Sequence, residues 1–137
     1  MTIKHLTHSL RWVGLPATFL TLGLVQLSVA AQDHCRVQLS RGWSQGAGKG
    51  TIVMRNDGKP CGIAMYSVPD ASIPVDAIKV VSPPKNGAVS INVPRFSYTP
   101  NHGFTGNDRF ELSAEGLDQE RRQRIALKGE VTVRVDP

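Results

Sequence analysis

Gly42-Trp43-Ser44-Gln45-Gly46 has the G-x-S-x-G spacing of a nucleophile elbow. There a serine on a sharp strand-to-helix turn attacks after a histidine, held by a carboxylate, takes its proton. Asp57, Asp70 or Asp76 and then His102 follow in the order such a triad needs. The context argues against it. Ala47-Gly48-Lys49-Gly50 is a poor helix start, and 137 residues are too few for the large α/β sheet behind an elbow. The same loop approaches a phosphate cradle at Gly48-Lys49. That cradle wants glycine six residues before the lysine and Ser or Thr after it, and Trp43 and Gly50 stand there instead. No Ser, His, Asp or Cys constellation survives, so the sequence predicts no enzyme and no cofactor.

Metal chemistry is equally thin. Cleavage after Ala31 would expose Gln32-Asp33-His34, whose amine, amides and imidazole suit square-planar Cu(II) or Ni(II), but cleavage one residue earlier removes the arrangement. Asp108 beside Asn107 is a single acidic position in a turn. It is expected to cap backbone N–H groups rather than join the six to eight oxygens calcium takes. His102 reads as exposed and structural. The candidates for partner contact are Trp43, which either folds back onto the core or offers an aromatic platform, and Arg121, Arg122 and Arg124 in Glu120-Arg121-Arg122-Gln123-Arg124. That run is either a solvated loop or a contact for an envelope polysaccharide or acidic protein.

The elements that hold these residues begin after residue 31. Lys4, His5, His8 and Arg11 precede a mostly apolar Val13–Val29, and small residues follow at Ser28, Ala30 and Ala31. This is the pattern of a Sec-type signal peptide, 1–31, cut after Ala30 or Ala31. It leaves residues 32–137 as one domain. Sixteen basic and eleven acidic side chains give a net charge of +5, and Lys4 and Arg11 leave with the leader. The remaining mild excess is weak ground for nucleic acid, and the membrane enters only through the export signal. Both cysteines, Cys35 and Cys61, lie beyond the leader. Each shares a strand face with apolar neighbours, Val37 and Leu39 or Ile63 and Met65, so a disulfide against the core is expected.

Short alternating segments with frequent turns run to the end of the chain, without a sustained helical apolar face. Strands are expected over Cys35–Ser40, Thr51–Arg55, Pro60–Tyr66, Val75–Val81, a segment with Val89, Ile91 and Val93 on one face, Phe96–Thr99, Arg109–Ala114 and Gly129–Asp136. Asn56-Asp57-Gly58 reads as a hairpin turn joining the second and third. Phe96 and Tyr98 point to one face, Pro100 ends their strand, and glycines carry the chain through a corner to Phe110. Glu115–Arg124 reads as a polar loop or short helical turn. Seven to eight antiparallel strands of this kind predict an all-β sandwich of two sheets.

Asn86-Gly87-x-Val89, Phe96-x-Tyr98-x-Pro100, Phe104-x-Gly106-x-Asp108-x-Phe110 and the closing Val131-Thr132-Val133 together resemble the bacterial Ig-like or cadherin-like repeat domains, over roughly Ile78 to Val135. The resemblance implies an Ig-like β-sandwich from a surface or secreted protein and supplies no catalytic residues. The expected role is a small exported module that binds or adheres in the periplasm or outside the cell. The alternative is a structural, self-assembling envelope subunit.

Overall fold

A computed structural model describes residues 34–137; the expected leader and the Gln32-Asp33 part of the amino-terminal metal motif lie outside the described residues. Nine strands form two sheets. They are β1 Cys35–Leu39, β2 Gly48–Arg55, β3 Cys61–Ala64, β4 Tyr66–Val68, β5 Ile73–Ser82, β6 Gly87–Asn92, β7 Arg95–Pro100, β8 Gly106–Leu117 and β9 Arg124–Asp136. Single 3₁₀ turns at Trp43–Gln45 and Pro69–Ala71 are the helical elements among the described residues. The six-stranded sheet runs β1-β2-β9-β8-β5-β4 and the three-stranded sheet β3-β7-β6.

Alternation in the sequence explains which faces meet. Val131, Val133 and Val135 of β9, Ile52 and Met54 of β2, and Phe110, Leu112 and Ala114 of β8 turn inward against Cys61, Phe96 and Tyr98 of the smaller sheet. Phe110 is the hinge of this packing. Its ring stands edge-on to Phe96 and stacks parallel to Tyr98, with centroids 6.0 Å away in each case. The disulfide Cys35–Cys61 ties β1 of one sheet to β3 of the other, its Cα atoms 5.5 Å apart. Closing a loop of that separation, 26 residues, contributes on the order of 3 kcal/mol in the chain-entropy account.

Several sequence expectations change. The turn at Asn56-Asp57-Gly58 does not close a hairpin. β2 already has β1 on one side and β9, parallel to it, on the other, so the chain crosses to the second sheet and β3 pairs with β7. Asn56 anchors that crossing, its Nδ2 donating to the carbonyls of Asn101 and Phe104 at 2.8 and 2.9 Å. The parallel β2–β9 pair also means the sandwich is not wholly antiparallel. Val93 leaves the face of Val89 and Ile91, because β6 ends at Asn92 and Val93-Pro94 makes the exposed turn into β7. β8 begins at Gly106, so Asp108 sits in a strand and not in the corner. Glu115–Leu117 and Arg124 belong to a long β8–β9 hairpin whose loop is only Asp118–Gln123.

The registers define two poles. At one, β1 begins and β9 ends, near the close of β2 and the start of β8. At the other lie the Arg41–Ala47 loop, the β3–β4 crossing, the Pro69–Ala71 turn and the Asp118–Gln123 loop. Ser67 Oγ donates to the Leu117 carbonyl there at 2.7 Å.

Candidate functional site

The polar group most enclosed by the fold is structural. Asp108 is 8% exposed and accepts four hydrogen bonds. Oδ1 takes the backbone N–H of Lys85 at 3.0 Å and of Arg109 at 2.9 Å, and Oδ2 takes that of Asn86 at 2.7 Å and the Tyr98 hydroxyl at 3.0 Å. Burial alone would raise the carboxyl's pKa. The three N–H groups and the hydroxyl outweigh it and hold the group below the usual aspartate range. The Tyr98 hydroxyl is pushed well above its ordinary value, by burial first and then by the adjacent carboxylate. Asp108 does cap backbone N–H groups, but two of them belong to the β5–β6 turn more than twenty residues away.

The elbow motif does not assemble. Ser44 lies exposed in a 3₁₀ turn that leads into β2 rather than into a helix, and His102 lies in the β7–β8 corner at the opposite pole. His34 sits beside Asp57, its Nδ1 3.0 Å from the carboxylate but out of line for a hydrogen bond. Among the described residues, no group of three His, Cys, Asp or Glu is placed to hold a metal ion.

Trp43 folds inward rather than forming an exposed platform. Gly42 at φ 101° and Gly46 at φ 74° bend the chain around it, and the N–H groups of Gln45 and Ala47 both donate to the Gly42 carbonyl. The ring lies over Gly48, where a Cβ would run into the indole, and is 6% exposed. Its Nε1–H is buried without an acceptor.

Above this ring the Trp43 pole opens into a cleft of about 650 Å³. Trp43, Met65, Ser67 and Leu127 are its buried lining, and its exposed residues include Arg41, Tyr66, Asp70 and Arg95. Tyr66 is 41% exposed, one of the few large apolar side chains left open. The hollow falls within the size range of small-ligand clefts, and its lining mixes apolar and polar side chains. Of the residues around the hollow, the sequence singled out Trp43 and Ser44 but not Arg41, Met65, Arg95 and Leu127, which come from four separate segments. Two smaller hollows, of about 330 and 550 Å³, are lined mainly by small and polar side chains.

The three arginines divide. Arg124 is held in β9 by Asp76, whose carboxylate it grips at 2.6 and 2.9 Å, and by Glu115 at 3.2 Å. These bonds raise the pKa of Arg124 and lower that of Asp76. Arg121 and Arg122 stand exposed on the hairpin loop at the same pole as the cleft, with Arg122 Nε 3.9 Å from Glu120.

A family model described as Bacterial Ig domain matches residues 46–127. It starts earlier than the motif resemblance at Ile78 and takes in β2 to β5. No curated protein matches the chain. The disulfide and this family are compatible with an extracellular or envelope setting. With the match spanning more than half of the sequence, over a two-sheet sandwich closed by a cross-sheet disulfide, the chain belongs to the bacterial Ig domain family.

Proposed function

We propose that this chain is a non-catalytic Ig-like module that binds a partner at the bacterial envelope or outside the cell, through the pole that carries the Trp43 cleft. The observation that carries this reading is the cleft itself. Tyr66 stays exposed on the rim of a hollow whose lining includes the buried side chains of Trp43, Met65 and Leu127. Arg121 and Arg122, exposed on the hairpin loop at the same pole, belong to this reading as further contacts of the partner. Export through the leader, cut after Ala30 or Ala31, to the periplasm or medium belongs to this reading and is supported by the disulfide.

The test compares capture from envelope extract by the native chain, by Tyr66→Arg and by Arg121→Ser/Arg122→Ser. Tyr66 is exposed, so its variant should fold as the parent does, which a thermal melt checks. A partner held by the native chain and released by Tyr66→Arg is the expected result. A partner set retained in full by Tyr66→Arg would overturn the assignment of the cleft.

The assembly alternative has one observation in its favour. β4 covers only Ile73 and Pro74 of β5, so Ala77–Ser82 is an open edge that carries exposed Val80 and Val81. An irregularity in the pairing with β8 between Val80 and Ser82, and the charge of Lys79, interrupt that strand, as guards against edge pairing do. Sedimentation of the purified protein as a stable monomer would remove the alternative.

A further inference from the structure

The Trp43 cleft has a chemistry specific enough to name its occupant. We infer that it takes the carboxyl-terminal end of a peptide whose last side chain is apolar; this inference rests on the reading of the cleft as a binding site. Four observations converge. First, Arg41 and Arg95 both line the cleft, and among the described residues neither has an ion-pair partner. Two arginines on the rim of one hollow give it forked donors for a carboxylate. Second, Ile63, Met65 and Leu127 give the same hollow an apolar part, against which one side chain can pack.

Third, Trp43 adds a large, rigid aromatic ring to that lining, against which the last side chain can pack. Fourth, β4 is the last strand of its sheet, and its Tyr66 and Ser67 line the cleft, so an extended chain finds backbone groups with no neighbouring strand. Asp70 on the rim separates this ligand from a polyanion. A polymer charged at every unit would meet that carboxylate repeatedly, whereas a peptide end carries one carboxylate and amide N–H groups that Asp70 can accept.

The experiment uses the full chain with Trp12→Phe, which leaves Trp43 as its only tryptophan. The probes are acetyl-Gly-Gly-Leu, acetyl-Gly-Gly-Val and acetyl-Gly-Gly-Phe, each as the free acid and as the carboxyl-terminal amide. Binding is read from the single indole N–H resonance, which shifts when the hollow lined by its ring is filled. The expected result is that at least one free acid binds about 10-fold more tightly than its amide, as charge-assisted hydrogen bonds require. Arg41→Gln/Arg95→Gln should abolish that preference while leaving the melting temperature close to the parent's, since both side chains are exposed. Acids and amides that move the resonance equally would overturn the carboxylate assignment and leave the cleft as a binding site. A resonance unmoved by all six peptides would overturn the peptide inference; if capture of the envelope partner still depended on Tyr66, the cleft reading would stand without it.

Discussion

Replacing Asp108 by Asn keeps the shape of the side chain and removes one acceptor and the charge. The amide nitrogen must take one of two places. In place of Oδ1 it faces the N–H groups of Lys85 and Arg109; in place of Oδ2 it faces that of Asn86 and the Tyr98 hydroxyl, which can rotate to accept. The second arrangement is the less damaging and still strands one backbone N–H, that of Asn86. An unsatisfied buried donor costs about 1–3 kcal/mol, and losing the charge weakens the bonds that remain, so a total near ~3 kcal/mol follows. For a domain of roughly 100 residues, each kcal/mol moves Tm by about 4–8 °C, which predicts a fall of roughly 12–24 °C at pH 7. The pH dependence gives a second check. Because folding holds the Asp108 pKa down, its contribution is complete above the ordinary aspartate value of about 3.9 and is lost as pH falls through the lower folded-state value. The asparagine variant has no such titration, so the two melting curves should approach each other in acid. Thermal melts followed by circular dichroism at pH 7 and at pH 2 measure both effects. A variant that melts with the parent at pH 7, or a gap that persists undiminished in acid, would refute the account of this carboxylate.

Two further predictions concern packing. Phe110→Ala removes the ring that contacts both Phe96 and Tyr98 and should cost about 3–5 kcal/mol, read as a lowered urea midpoint. Gly129→Ala sets a Cβ against the backbone of Gly48 in the parallel β2–β9 pair and should destabilise by more than the ~1 kcal/mol of an ordinary glycine replacement. Gly103→Ala, in open space at φ 74°, is its control and should cost only about 1 kcal/mol.

What could be read from the sequence was what depends on near neighbours. The faces of Phe96 and Tyr98, of the cysteines and of Val131, Val133 and Val135 follow from the two-residue period of a strand, and each points inward as its pattern requires. With two cysteines on core faces, the disulfide had one possible pairing. The choice of partner strand was not local. Asn56-Asp57-Gly58 has every feature of a hairpin turn, yet Asn56 is satisfied by carbonyls 45 and 48 residues away, and β2 has no free side for β3. The fate of Trp43 was hidden in the same way. Its burial depends on the missing side chain of Gly48, a residue that by itself reads as part of a flexible loop. The cleft drew its lining from residues between Leu39 and Leu127, so no window of sequence contained it.

The common pole of the strand ends has a mechanical meaning. Tension between the start of β1 and the end of β9 does not run along the sandwich. At β9 it would lift Asp136, Val135 and Arg134 from their neighbours one pair at a time, as a zip opens, instead of loading all the rungs in shear. At β1 the same pull passes at once through the disulfide to β3 and stops there. Such a domain would be a weak in-line link for carrying force.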